Sequence, residues 1–292
     1  MLDITNIVTN SEYYKVFYNN GTGGTGGGQP STGSWQTWTK PRGKCDFIWM
    51  MCMSGGAGGT GGGTTTAGVG GSSPAITIAI FSAQTLPDTL FIWPGKGGTG
   101  GAGGATGVAG LTGGKSLVAI APVTSSIYAS PGTMNILCSS GGSQWSTVTS
   151  AEAVNAGAIS NLIDLATWTS VAGRANAAGN VTPLSGGTIT CPGAAGGASG
   201  VAGSSILSVN IGTSPTPLIA GGAIGGGNGQ SGIWSWKPMF GTGGAGGGGN
   251  ASGAGGNGGN GAYGCGGGGG GVGTTGGNGG NGGDGLVIIA TF

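Results

Sequence analysis

The chain lacks histidine and has few charged side chains, and these two absences exclude several classes of function. Its 292 residues include 8 Lys and Arg, 7 Asp and Glu, and no His, for a net charge of +1. Without an imidazole, Ser-His-Asp and Cys-His catalytic arrangements cannot form. So few scattered cations cannot neutralise the phosphates of a nucleic acid. A glycosidase-like pair of carboxylates stays open, because folding can bring distant acids together.

Clustered cysteines and long apolar runs are also missing. The five cysteines are widely spaced and form no C-x-x-C pair, which favours reduced thiols over a disulfide framework and provides no zinc-ligand set. The longest apolar runs, 47–53 and 286–290, are far shorter than the roughly 20 residues of a membrane helix. No basic, apolar leader is visible at the N-terminus. We therefore expect assembly in a cytoplasm, with no membrane insertion, no cofactor and no metal.

Glycine dominates what is present, with 78 residues. Many glycines form GGx triplets, as in 55–63, 97–105 and 278–284. Polyproline II geometry has three residues per turn, so every x would project from one edge while bare backbone forms the other two. Neighbouring bare backbones can exchange hydrogen bonds. The triplets favour a packed bundle of polyglycine II helices, the alternative being flexible linkers, which need no strict period.

Short apolar runs alternate with the glycine runs. They are four to seven residues long, rich in β-branched and aromatic residues, and bounded by Gly, Pro or Ser, which predicts strands. The predicted strands are 47–53, 76–81, 90–93, 117–120, 134–138, 206–211 and 286–292. We predict an all-β fold: an antiparallel β-sandwich connected by a polyglycine II helix bundle. One short helix is expected within Ser150–Val171, because apolar residues recur there at helical spacing.

The order of these elements predicts three parts. Residues 1–30 form an N-terminal attachment arm, although its aromatic segment could equally be an edge strand. Residues 31–144 and 236–292 form the glycine-rich β-sandwich and polyglycine II domain. Residues 145–235 form an insertion that contains the predicted helix.

Several segments resemble the glycine-rich domains of tailed-bacteriophage virion proteins, particularly tail-fibre tips and adhesins. The resemblance covers residues 35 to about 140 and 240–292, and the segment 145–235 departs from it. It is carried by Trp38-Thr39-Lys40-Pro41, by the strand 47–53 running into Gly55-Gly56-Ala57-Gly58-Gly59, by the stretches 90–98 and 113–116, and by the C-terminal Gly282–Ile289.

The resemblance implies a trimeric or fibre-associated virion component in which polyglycine helices carry surface loops. We expect a structural, non-enzymatic protein of a tailed-bacteriophage virion, favoured as a tail-fibre or host-recognition component. Its partners would be other virion proteins, copies of itself in a trimer, and a host surface glycan or outer-membrane protein. A capsid decoration or head-fibre protein is the alternative. An ice-binding polyglycine II protein is a further one, because packed helices can present a flat face.

Tryptophans are the candidate receptor-binding residues. Trp234 and Trp236 share one face of an extended segment between two glycine runs, and Trp145 and Trp168 lie in or beside the insertion. Exposed aromatic rings in a surface of low charge can hold a sugar or a protein loop. The competing interpretation is burial against a sheet or a subunit interface. Trp35 and Trp38 lead into the first predicted strand, so we expect them in the core or an interface.

Overall fold

The apolar runs form β-strands, as their β-branched and aromatic residues favour. The computed structural model describes residues 13–19, 35–43, 45–122, 136–140, 158–159, 167–171, 174, 179–182, 189–207 and 217–292. Within these residues there is one 3-10 turn, Ala83–Thr85, and no α-helix. The strands are β1 (Tyr14–Tyr18), β2 (Gln36–Thr39), β3 (Phe47–Met53), β4 (Ile76–Ser82), β5 (Thr89–Trp93), β6 (Leu117–Ala119), β7 (Ile136–Ser139), β8 (Ala158–Ile159), β9 (Thr167–Val171), β10 (Ile206–Leu207), β11 (Pro217–Ile219), β12 (Trp234–Trp236), β13 (Met239–Gly241) and β14 (Leu286–Thr291).

Two five-stranded antiparallel sheets contain most of the strands. The first has the order β1-β14-β3-β4-β9, and the second β2-β5-β6-β7-β8. The pairs β10–β11 and β12–β13 form separate two-stranded ribbons. Every predicted run overlaps a strand, and β3 has the predicted bounds. The prediction of an all-β, antiparallel fold is confirmed.

One apolar cluster contains side chains from both sheets. Ile48 and Phe81 come from the first sheet, while Ile92 and Leu137 come from the second, and each is at most 1% exposed. A second cluster lies on the other face of β3 and β14, around Met51 and other apolar residues. Because both faces of these central strands are buried, their sequences are continuously apolar rather than alternating.

The helix expected within Ser150–Val171 is wrong wherever the structure describes that segment. Ala158–Ile159 is strand β8 at the edge of the second sheet, and Thr167–Val171 is strand β9 at the edge of the first. β9 pairs along β4 and is rich in the β-branched and aromatic residues that strands favour. Residues 150–157 and 160–166 lie outside the described residues.

Extended glycine-rich segments connect the strands and bind one another through their backbones. We call this set the glycine array. Along segment 55–63, the N–H groups donate in turn to different neighbours, and every third residue returns to the same one. Gly55, Gly58 and Gly61, for example, all donate to segment 107–115 at 2.9 Å. The other two neighbours that accept from 55–63 are segments 67–73 and 276–285.

The run with no side chains occupies the most enclosed position in the array. Segment 265–273 includes the six consecutive glycines 266–271, all buried. It exchanges backbone hydrogen bonds with segments 55–63, 67–73, 191–198, 242–250, 254–262 and 276–285. A Cβ on Gly268 would collide with the carbonyl of Ala245, and one on Gly269 with that of Gly68. Surrounded on every side by backbone, positions 266–271 accommodate only glycine.

Asparagines replace missing neighbours on the outer segments. The side-chain oxygens of Asn278, Asn281 and Asp284 accept the N–H groups of Gly103, Gly100 and Gly97 at 2.8, 2.9 and 2.7 Å. Asn257 and Asn260 accept the N–H groups of Asn278 and Asn281 in the same way, at 2.8 and 2.9 Å. On these outer segments, the x residue of the triplet thus accepts a hydrogen bond from a backbone N–H group in place of a further glycine-rich segment.

This arrangement predicts the effect of removing one such acceptor. We expect Asn281→Ala to lower the free energy of unfolding by about 0.5–1.5 kcal/mol, because the N–H group of Gly100 loses its acceptor. Asn281→Asp is the matched control and should retain most of the stability, since Asp284 already serves as an acceptor. Urea unfolding followed by tryptophan fluorescence measures both. Equal losses of unfolding free energy in the two variants would contradict the role of the Asn281 side chain as a hydrogen-bond acceptor.

Candidate functional site

Four aromatic rings form a row beside the first sheet, in the order Trp236, Trp234, Tyr263 and Tyr18. The ring centroids of Trp236 and Trp234 are 5.4 Å apart, those of Trp234 and Tyr263 5.9 Å, and those of Tyr263 and Tyr18 5.4 Å. The first two pairs meet edge to face, at 76° and 88°. Such contacts fix ring orientation as well as bury area. We call these residues the aromatic row.

The two ends of the aromatic row are exposed and its middle is anchored. Trp236 and Tyr18 are 37% and 41% exposed. Trp234 and Tyr263 are half-buried and pack against the second apolar cluster. The indole Nε1 of Trp234 is buried and has no hydrogen-bond partner within the described part of the chain. The inner rings therefore hold the outer rings in place at the surface.

Local backbone features position the inner rings. Trp234 on β12 pairs with Gly241 on β13. A Cβ on Gly241 would lie 2.7 Å from ring atom Cε3 of Trp234, so the absence of a side chain lets the indole lie over the ribbon. Tyr263 precedes Gly264, whose φ of +63° is in the left-handed region that favours glycine. The turn at Gly264 reverses the chain and presents Tyr263 to the row.

The aromatic row is built to offer neutral groups. Burial, and then the neighbouring phenol of Tyr263, raises the pKa of Tyr18 above its ordinary value. The Tyr18 hydroxyl therefore remains a neutral donor and acceptor at physiological pH. The neutral amide of Gln36 lies beside the Tyr18 backbone, donating from Nε2 to the Tyr18 carbonyl at 2.6 Å. Aromatic faces next to neutral polar groups can bind sugars or uncharged protein loops.

The predicted tryptophans do not all join this row. Trp234 and Trp236 are in contact with each other, as their alternate positions on one strand require. Trp168 lies in β9 opposite Ala79, at the edge of the first sheet farthest from Tyr18 on β1. Trp145 lies outside the described residues. Sequence reasoning missed Tyr18 and Tyr263 as site residues, because nothing local joins residues so far apart in the chain.

The other two tryptophans have structural positions. Trp38 is 4% exposed and belongs to the cluster shared by the two sheets. Trp35 is half-buried and lies 5.9 Å from Trp93, ring centroid to ring centroid. The expectation that both pack in the core or an interface agrees with these positions.

A second uncharged surface lies where the turns of the glycine array meet. Hydrogen bonds join the turns to each other: the N–H of Thr64 donates to Ala105, and that of Thr274 to Gly253. Their exposed side chains are small or apolar and include no charge. The turns are 63–67, 104–107, 198–201, 223–227, 250–254 and 273–276. We call this surface the turn end.

Charged and metal-binding groups do not assemble in the described part of the chain. Asp88 pairs with Lys40 at 3.2 Å, and no three acidic or thiol side chains there come together as metal ligands. Thiols of Cys45, Cys52, Cys138, Cys191 and Cys265 are all free. No described helix has the length and apolar character needed to cross a membrane.

Comparison with known families identifies the chain as a glycine-rich domain protein. A family model described as a glycine-rich domain matches residues 29–291, so the chain belongs to that family. The matched range includes the segment 145–235. No curated protein is a significant match to the chain.

Proposed function

We propose that this glycine-rich domain protein is a structural, non-enzymatic component of a tailed-bacteriophage virion, acting in a tail fibre or in host recognition. The observation that carries the proposal is the aromatic row, in which two exposed rings are anchored by two half-buried rings. The resemblance of the strand and glycine segments to tail-fibre tips and adhesins supports the same assignment. The protein would assemble in the host cytoplasm with copies of itself, as a trimer, and with other virion proteins.

The scaffold in this proposal is a β-sandwich joined to a polyglycine II bundle. The apolar cluster that contains side chains of both sheets supports the sandwich. The three-residue period of the hydrogen bonds supports polyglycine II helices, which have three residues per turn. Such a bundle gains rigidity from backbone hydrogen bonds rather than from charge or a large core.

The binding surface in this proposal is the aromatic row, with Trp234 and Trp236 as the receptor-binding residues. Large rings that are already ordered lose little conformational entropy on binding, so they contribute strongly to affinity. The ligand would be a host surface glycan or an outer-membrane protein. The turn end, which is uncharged and formed by several chain segments, would provide a second contact surface.

The decisive experiment measures binding of the purified chain to a panel of intact bacterial strains. We expect saturable binding to a susceptible strain and a loss of about tenfold or more in affinity for Trp236→Ala, since a central aromatic contact is typically worth about 2 kcal/mol. Phe292→Ala removes a comparably exposed ring outside the row and should bind normally. Absence of binding by the folded chain to every strain of a confirmed host range would reject host recognition.

A capsid decoration or head-fibre protein is the second candidate. It is favoured by the position of β1, which comes from the predicted attachment arm and is paired with β14 as an edge strand. Phe17 of that strand is 3% exposed, so this part of the arm is built into the sheet. Residues 1–12 and 20–30 of the arm lie outside the described residues. Binding of the chain to assembled capsids, but not to cells, would favour this candidate.

Ice binding is the third candidate, supported by the regular spacing of exposed residues on the outer segments. Asn278 and Asn281 are exposed there, but their oxygens already accept backbone hydrogen bonds. A purified chain that causes no thermal hysteresis would exclude this role.

A further inference from the structure

Asparagine side chains accept backbone hydrogen bonds on the outer segments of the glycine array. One edge of the array lacks such side chains. On segment 95–104, the N–H groups of Gly97, Gly100 and Gly103 are accepted by side-chain oxygens. The N–H groups of Thr99 and Ala102 on the same segment have no hydrogen-bond partner within the residues that the structure describes. These open donors recur at the three-residue spacing of the array.

The adjacent segment 107–115 continues the open edge. Among the described residues, neither the N–H nor the carbonyl group of Ala109 or Thr112 has a hydrogen-bond partner. Val108 and Leu111 directly precede these two residues and are 55% and 45% exposed. We call segments 95–104 and 107–115 together the open edge.

The open donors and the exposed apolar side chains lie side by side. The N–H of Val108 donates to the carbonyl of Ala102 at 2.9 Å, and that of Leu111 to the carbonyl of Thr99 at 2.8 Å. Val108 and Leu111 are therefore level with the open N–H groups. Neither side chain can accept a hydrogen bond, whereas the outer residues of segment 276–285 are asparagines that do.

We propose that the open edge is a self-complementary interface that binds the same edge of a second copy of this chain. Ala109 and Thr112 have N–H and carbonyl groups that lack partners among the described residues, so the edge offers both donors and acceptors to a copy related by a two-fold axis. The same contact removes Val108 and Leu111 from water. This inference goes beyond the structural role proposed above: a two-fold contact joins two copies, and it is separate from the contacts of the proposed trimer.

The open edge has backbone donors that are available for association. The asparagine-capped segments, by contrast, have their outward donors occupied. They resemble protected edge strands, which discourage further association.

Sedimentation equilibrium of the full chain over a range of concentrations tests the interface. The main variant is Ala109→Pro/Thr112→Pro, which removes the two open donors. Proline fixes φ near a value that polyproline II geometry already uses, so the segment should keep its conformation. We expect reversible association of the native chain and a dissociation constant raised by about tenfold or more in the proline variant, as the loss of two hydrogen bonds requires.

A second variant guards against misfolding of the first. Val108→Ser/Leu111→Ser leaves the backbone intact and should also weaken association. The matched control, Val201→Ser/Ile224→Ser, changes two residues of the turn end that are 51% and 67% exposed, and it should associate as the native chain does. A native chain that stays monomeric overturns the proposal, as does unchanged association of the serine variant.

Cell binding separates this inference from the proposed function. A monomeric open-edge variant retains the aromatic row, so it should still bind cells, with less avidity. Normal association without any cell binding would reject host recognition but would still support the proposed interface. Cell binding by a chain that never associates would reject the interface alone.

Discussion

Gly269→Ala is expected to lower the free energy of unfolding by about 3 kcal/mol or more, the upper range for overpacking a rigid interior. The new Cβ would collide with the carbonyl of Gly68 and lie 3.0 Å from the backbone nitrogen of Gly196. Neither neighbour is a flexible side chain that can turn aside. The N–H of Gly269 also donates to Ala194 at 2.9 Å, so a shift of the segment weakens several hydrogen bonds together. Urea unfolding followed by fluorescence and circular dichroism measures the loss.

Gly104→Ala is the matched control for that prediction. A Cβ at this position would have only one neighbour within 4 Å, the carbonyl oxygen of Thr106 at 3.8 Å. We expect a change of no more than about 0.5 kcal/mol, the usual range for an open surface position. If Gly269→Ala were as stable as Gly104→Ala, the close backbone packing of segment 265–273 would be refuted.

The strands and the triplets were predictable because both are local patterns. The run 47–53 is wholly apolar, contains two aromatic residues and is bounded by Asp46 and Ser54, and it forms β3 with those bounds. The GGx period predicts that every third residue projects from one edge. Asn278 and Asn281 are indeed exposed together on an outer segment. No distant contact is needed to infer either feature.

The order of segments in the array was not predictable for the opposite reason. Segment 265–273 contains six consecutive glycines, 266–271, and these carry no side chain that could distinguish one neighbour from another. Its position is decided by the whole array, in which the most enclosed place excludes every residue with a Cβ. The sequence also did not indicate that the x asparagines accept hydrogen bonds from the next segment.

The aromatic row was predictable only in part. Trp234 and Trp236 are alternate residues of one strand, so their contact follows from strand geometry. Tyr18 and Tyr263 approach them through pairing of β1 with β14 and through the turn at Gly264. Both relations are long-range. Where the structure describes Ser150–Val171, long-range pairing also decides the conformation, since β9 pairs with β4 and does not join the expected helix.

Phe81→Ala is expected to destabilise the protein by about 3–5 kcal/mol, the usual cost of removing a buried phenylalanine. Phe81 on β4 is fully buried in the cluster that contains side chains of both sheets. Its loss leaves a cavity that strands on either side cannot easily fill, because β4 is fixed between β3 and β9. The midpoint temperature of thermal unfolding and the midpoint urea concentration should therefore both fall strongly.

Phe47→Ala provides an internal comparison on the adjacent strand. Phe47 pairs with Ser82, next to the pair of Ile48 with Phe81, but its side chain is 53% exposed. The same chemical change there should cost no more than about 1 kcal/mol, since little area is withdrawn from the core. A large difference between the two variants supports a core shared by the sheets and hence the proposed sandwich. Equal and small effects would mean that the glycine array alone stabilises the chain, because the apolar cluster would then add nothing to its stability.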